Sequence, residues 1–357
     1  MFRHALTVTG VVAATVTTLL ACTASVPAGV SPSATSGVQL QTWLYPGSPG
    51  DSTCTAKSEY ADNRVKNGAL NPEYWSVGGN GAVTLETTAD GSCNTYSAAN
   101  VADLKAHSTY QYPTLSGMTT ADVHALVSSN STRTAAVTKV TSLVVDAGLS
   151  GVDVDLEDYW SWSAADFTNY KTFLKQLATA LHAKGKRLQV DAPAMTEDAS
   201  FYDYAAVAAT GADDVVIMAY DEEFDTASGA RCLPISPYDW LKKVTRYAQS
   251  KVTDPSRLII GLPSYGYSAP DPCDLDSVTG NIQFSDMKKS PGFSSDPATT
   301  ESRRDASSGE IRWVSGGVLH DYVDSVAMDR KLAVLKGLGV TKVSVWSLGG
   351  GNPWFSN

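Results

Sequence analysis

Gly151-Val152-Asp153-Val154-Asp155-Leu156-Glu157 alternates apolar and acidic side chains without a break. Successive side chains of an extended strand point to opposite faces, and neighbours on one face lie roughly 6–7 Å apart. Asp153, Asp155 and Glu157 therefore share one face, and Val152, Val154 and Leu156 the other. An edge strand with a solvated acidic face would show the same alternation, but the flanks argue for a strand inside a sheet. Arg133–Ala147 reads as a helix with Val137, Val140, Val144 and Ala147 on one side and Gly148 as its stop. Ser163–Lys184 reads as a second, capped by Ser163 with Asp166 three residues on, striped by Phe167, Tyr170, Leu174, Leu177 and Leu181, and ended by Gly185. Helices on both sides in sequence cover the apolar face, so the acidic row points inward. Three inward carboxylates cannot all ionise cheaply; repulsion and desolvation raise at least one pKa.

Outward from this strand the same rhythm continues. Strands are predicted at Leu40–Tyr45, Tyr110–Leu115, Arg187–Ala192, Asp214–Tyr220, Leu258–Pro263 and Lys342–Leu348, with helices near Asn100–His107, Pro237–Lys251 and Ser325–Leu338. Strands alternating with helices imply βαβ units and a parallel sheet. About eight units over this length fit an α/β fold of the closed (β/α)8 TIM-barrel type. A doubly wound open sheet is the alternative, but no G-x-G-x-x-G follows the first strand, which counts against a dinucleotide cofactor. Little chain follows Trp346, so the eighth helix is expected to be short or absent. Ser268–Ser308, rich in Asp, Ser and Pro, reads as an elaborated loop.

The chain has 357 residues and a formal charge of −10, with no block of Lys or Arg, which excludes a nucleic-acid footprint. Arg3 and His4 precede a short apolar run that ends in Leu19-Leu20-Ala21-Cys22, similar to the lipobox of bacterial lipoproteins. The expected organisation is a lipoprotein signal peptide at 1–22, a small-residue tether at 23–37 and one catalytic barrel at 38–357. Export then follows, with Cys22 carrying a lipid as the chain's only membrane contact; an ordinary signal peptide with a chance cysteine is the alternative. Cys54, Cys93, Cys232 and Cys273 make an even set in an exported chain and suggest two disulfides. Consecutive strand-end loops are neighbours at a barrel mouth, which pairs Cys54 with Cys93 and Cys232 with Cys273. No metal-ligand spacing of Cys or His is present, so no metal is expected.

The segment Ser150–Glu157 resembles the D-G-x-D-x-D-x-E signature of glycoside hydrolase family 18, the chitinase family, with Ser150 in place of the first Asp. Met218-Ala219-Tyr220-Asp221 is similar to the family's M-x-Y-D, Gly261-Leu262-Pro263-Ser264-Tyr265-Gly266 to its G-x-P-x-Y-G, and Trp346 to the Trp that ends its last strand. The family's S-x-G-G on the third strand is reduced to Leu115-Ser116-Gly117-Met118. The resemblance covers roughly residues 38–357.

What the resemblance implies is a retaining glycosidase acting on β-1,4-linked N-acetylglucosamine polymers, without a cofactor and as a monomer. The substrate's own 2-acetamido oxygen is the nucleophile, an exception to the usual pair of carboxylates. Glu157 is then the acid and base, Asp155 holds the acetamido N–H, Asp153 shares a proton with Asp155, and Tyr220 holds the acetamido carbonyl. Met218, Asp221, Tyr265 and Trp346 line the sugar site. Trp160 and Trp162, just past the acidic strand, could stack on sugars or pack the loop, and Asp158 reads as solvated. A peptidoglycan or glycoprotein endo-β-N-acetylglucosaminidase would use the same residues. A chitin-binding lectin on this fold is the reading from another class; such lectins typically lose the terminal Glu, which is present here.

Overall fold

The computed structural model describes residues 37–44, 65, 68–87, 95–225 and 231–356. The expected leader and tether up to residue 36, with Cys22, lie outside the described residues, as do Cys54 and Cys93.

The barrel wall begins with β1 (Gln39–Leu44). The next wall position is one path broken in two, β2 (Ala69–Pro72) and β3 (Trp75–Val77), with β4 (Val83–Leu85) folded back on β3. The third is likewise broken, into β5 (Tyr110–Gln111) and β6 (Thr114–Gly117). β7 (Gly151–Leu156), β8 (Arg187–Pro193), β9 (Asp214–Met218) and β10 (Leu258–Pro263) follow. An antiparallel group comes next: β11 (Gly266–Pro270), β12 (Thr279–Ile282), β13 (Ile311–Ser315) and β14 (Val318–Tyr322). β15 (Lys342–Leu348) completes the wall by pairing in parallel with both β10 and β1.

β2 pairs with β5, and β3 with β6, so the two broken paths lie side by side and close the ring. Backbone bonds across the breaks confirm it: Tyr112 N–H donates to Leu70 O, and Ser150 N–H to Gln111 O, both at 3.1 Å. The closed parallel barrel is the architecture that the alternation of strands and helices implies. Helices at Asn130–Asp146, Ala164–His182, Tyr238–Lys251 and Ser325–Gly337 cover it. Ser163 and Asp166 form the expected capping box, and Tyr170, Phe173, Leu174, Leu177 and Leu181 are the buried stripe. After β15 a 3-10 turn at Pro353–Phe355 stands where an eighth helix would, burying Trp354 and Phe355.

The strand expected at Tyr110–Leu115 is broken into β5 and β6, and helices at Thr120–Val127 and Tyr204–Ala208 are additional; two further differences bear on the site. The second wall position, Ala69–Val77, was not expected, because Asn71-Pro72-Glu73 has the composition of a turn. The expected loop Ser268–Ser308 is part of an ordered insertion, a sheet in the order β12-β11-β14-β13. Its small core gathers Met287, Ile311, Trp313 and Tyr322 from distant positions, so no local periodicity announced it. Cys232 and Cys273 are bonded, with Cα atoms 5.5 Å apart, and tie the segment after β9 to the start of this insertion. Buried Glu310 accepts from the N–H groups of Ile235 and Ser236 at 2.8 and 2.9 Å and pairs with buried Lys331 at 2.7 Å, fixing the insertion to the barrel's flank.

Gly151 opens the acidic strand because nothing larger fits: a Cβ there would sit 2.1 Å from the Arg187 carbonyl oxygen on β8. Gly151→Ala must push the two strands apart. The expected cost is about 1–3 kcal/mol, as for overpacking of a dense interior, read as a lowered midpoint in denaturant. An unchanged midpoint would show that the β7–β8 contact is slack.

Candidate active site

The pleat of β7 turns Val152, Val154 and Leu156 outward into the helical layer, all three fully buried, and turns the carboxyl groups inward. Ser150 supports the strand's start: its Oγ accepts from Gln111 N–H at 3.1 Å. Gly117 O accepts from Glu157 N–H at 2.8 Å, which carries the β6–β7 pairing up to the mouth. Directly beyond, Asp158 has a positive φ of 63°, a conformation Asp tolerates better than most residues, and the chain turns away. Asp158 is not merely solvated. It accepts from Thr120 N–H at 3.0 Å, from the Thr120 hydroxyl and from Ser161 Oγ at 2.8 Å, bonds that hold its carboxyl below the usual range.

Asp153 is completely buried and accepts from Trp43 Nε1 at 2.9 Å and from Asn71 Nδ2 at 3.0 Å, both at Oδ2. Burial pushes it up to about 6 against those two bonds. Asp155, 6% exposed, is raised well above its ordinary value by burial and by the charges of Glu157, Glu73 and Asp153. Glu157 reaches about 7, from burial and the nearby Asp221. A carboxylic acid that keeps its proton near neutrality can give it to a leaving oxygen.

β9 supplies the opposite wall. Met218 and Tyr220 are half-buried at its end, and Asp221 again has a positive φ, 68°, where the chain turns off. Gly261 of β10 leaves room for Tyr220: a Cβ would lie 3.1 Å from the Tyr220 ring. Tyr265 is only 1% exposed and donates its hydroxyl to Asp221 Oδ1, so it holds Asp221 and offers little surface to a sugar. Trp346 lies half-buried over Trp43, ring centres 5.8 Å apart, above a plug of Trp43, Val216 and Ile259. Trp160 is 66% exposed and free to stack, whereas Trp162 is buried and donates its indole N–H to Glu157 O at 3.0 Å. Trp162 thus braces the acid and does not face the cleft.

Three residues at the mouth escaped the sequence reading. Glu73, in the break between β2 and β3, is buried and raised to about 8 by burial and by Asp153. Asp191 of β8 is completely buried beside β7; it is the one acid in the strand, which was its only signal. Asn281 of β12 accepts from Trp346 Nε1 at 2.9 Å and has a positive φ of 52°. The insertion therefore grips the tryptophan that ends the last barrel strand. Among the described residues no group of His, Cys, Asp and Glu could hold a metal ion.

The profile of Glycosyl hydrolases family 18 matches residues 83–351. YdhD of Bacillus subtilis (strain 168), provisionally named a sporulation-specific glycosylase, is 33% identical over 174 residues, which is 47% of this chain and 39% of that protein. The chain thus spans about two fifths of that relative's length. The crystal structure of the spore cortex-lytic enzyme SleL from Bacillus cereus superposes with a TM-score of 0.69 at 18% identity, covering 89% of this chain and 72% of that one. A chitinase from Chromobacterium violaceum ATCC 12472 superposes with a TM-score of 0.68 at 21% identity, covering 88% of this chain and 95% of that one.

The raised acids predict how stability varies with pH. Glu73 binds its proton more tightly folded than unfolded, so its contribution is fully present below the unfolded value and is lost as pH rises to about 8. Glu73→Gln keeps the shape without the charge. The variant should gain melting temperature over wild type at pH 9 and little or nothing at pH 5. A difference independent of pH would mean that Glu73 is not the group that titrates.

Proposed function

The chain belongs to glycosyl hydrolases family 18 and is a glycoside hydrolase by class; we propose that it cleaves β-1,4-linked N-acetylglucosamine chains, chitin or chitooligosaccharides, with the substrate's acetamido group as nucleophile. The observation that carries this reading is the placement of the carboxyl groups. A pair of catalytic carboxylates must flank the scissile bond. Asp155 on β7 and Glu157 just past its end instead share one face, so both would meet a bound sugar from the same side. Glu157 is the acid that has a proton to give. The nucleophile then comes from the substrate.

In this reading Glu157 protonates the leaving oxygen and afterwards takes a proton from water. Asp155 accepts the acetamido N–H and balances the positive charge of the oxazolinium ion. Tyr220 donates its hydroxyl to the acetamido oxygen, while Met218 and Trp346 floor the sugar and Asp221, held by Tyr265, bounds it near Glu157. Holding an internal nucleophile in place is a proximity effect that can contribute several kcal/mol, roughly 7–11 in the best cases.

Peptidoglycan is the second substrate considered, favoured by the names of the spore cortex-lytic and sporulation-specific relatives. A sugar-binding role without turnover is disfavoured by the retained Glu157. We also propose that the protein is exported and lipidated at Cys22. Cys22→Ser should then abolish lipid attachment and shift the protein out of the detergent phase; soluble export of unmodified wild type would count against it.

Incubating the protein with chitin oligomers, peptidoglycan and a high-mannose glycoprotein, with products identified by mass, separates the substrates. On the active one, Glu157→Gln should fold normally and lose about 10²–10⁴-fold in turnover. Two successive inversions at the anomeric carbon should release the β-anomer first, and sugars lacking the N-acetyl group should not be cut. An initial α-anomer, or frequent cleavage after deacetylated units, would refute the mechanism.

A further inference from the structure

Asp191 lies on β8 between Val190 and Ala192, with no exposed surface, and among the described residues neither of its carboxyl oxygens meets an N–H or O–H donor. The groups that face it are acids and phenols. Asp153, Asp155 and Glu157 come from β7 and its end, and Glu73 from the break between β2 and β3. Tyr170, Tyr202 and Tyr220 come from the neighbouring helix, loop and strand end. The Tyr202 hydroxyl is spent on the Asp191 backbone oxygen at 3.2 Å.

The Asp191 and Asp153 carboxyl groups lie within hydrogen-bonding reach of each other. Ionised carboxylates only accept hydrogen bonds, so such a contact is repulsive unless one member carries a proton. The two are not equivalent. Asp153 Oδ2 already takes two donors, Trp43 and Asn71, which favours the ionised form of Asp153. Its Oδ1 is buried without a donor. Among the described residues Asp191 has no donor at either oxygen, and the charges that press on it, those of Asp153, Asp155, Glu73 and Glu157, are negative, which favours its neutral form.

We infer that Asp191 is a positioning residue: as a neutral acid it donates to Asp153 Oδ1, so that Asp153 is satisfied from three sides and Asp155 is left to face Glu157 and the sugar. This deepens the proposed reading of the site and rests on it for its catalytic consequence. The location of the proton does not depend on substrate and can be tested without one.

Two substitutions separate the possibilities. Asp191→Asn can still donate to Asp153 but cannot ionise; Asp191→Ala removes the donor. With a chitooligosaccharide carrying a chromogenic leaving group, Asp191→Asn should keep kcat within about threefold of wild type and keep the pH profile. Asp191→Ala should lower kcat about 10²-fold with KM little changed, the loss that misplacement of a reacting group brings, and should shift the alkaline limb of the profile. In the absence of substrate, the infrared difference between wild type and Asp191→Asn at pH 7 should contain the C=O stretch of a protonated carboxyl group. A carboxylate signal there, or an alkaline limb that moves in Asp191→Asn, would overturn the inference. So would a wild-type profile and kcat in Asp191→Ala. If the protein cleaved no N-acetylglucosamine chain, the functional reading would fall while the infrared measurement still decided where the proton sits. The same measurement decides if Asp191→Ala does not fold.

Discussion

Carboxyl groups packed into a barrel interior set the terms for the rest of the structure. Desolvating a charge costs several kcal/mol unless it is paired or neutralised, and the barrel uses both remedies at opposite ends. At the foot, Asp214 is paired with Arg187 at 3.0 Å and Lys342 at 2.6 Å. At the mouth, donors from Trp43 and Asn71 carry part of the burden at Asp153, and burial raises Asp153, Asp155 and Glu157 toward their neutral forms. The distinction matters chemically. An ion-paired carboxylate is inert, whereas one that shares a proton under repulsion from its neighbours can release it to a substrate.

The acidic strand could be read from the sequence because its period of two is a local property, and the helix after it because a cap, a stripe and a stop all fall within one segment. Met218, Tyr220 and Trp346 were found because they end strands with recognisable motifs. What stayed hidden depends on closure of the ring. Glu73 follows Asn71 and Pro72 in a stretch that reads as a turn, and only the pairing of β2 with β1 and β5 makes it part of the wall. Asp191 is an ordinary acid until β8 pairs with β7. Tyr265 was expected at the sugar site from its motif, and Trp162 was open to stacking or loop packing; each instead braces another residue, Tyr265 holding Asp221 and Trp162 the Glu157 backbone.

The insertion shows why strand-end motifs alone underdescribe the cleft. β12 is short and only half exposed, and its sequence, Thr279-Gly280-Asn281-Ile282, carries no catalytic signal. Even so, Asn281 holds the Trp346 indole, and the Phe224 ring, just past Asp221, lies 3.4 Å from where a Cβ on Gly280 would stand. The acidic residues belong to the barrel, while the shape of the cleft above them is shared with the inserted sheet.

β1 and β15 meet across nearly the whole described chain: the Thr42 hydroxyl donates to Val345 O at 2.8 Å over 303 positions. Joining positions so far apart carries a loop-closure entropy that must be offset by the contacts the joining creates. Trp43, one residue on from Thr42, is the donor that steadies Asp153, and Trp346, one residue on from Val345, packs over it. The pairing that closes the wall therefore also brings together the residues around Asp153. A partly folded chain holds its acids in water, ionised and harmless, so the enzyme is latent until the barrel closes.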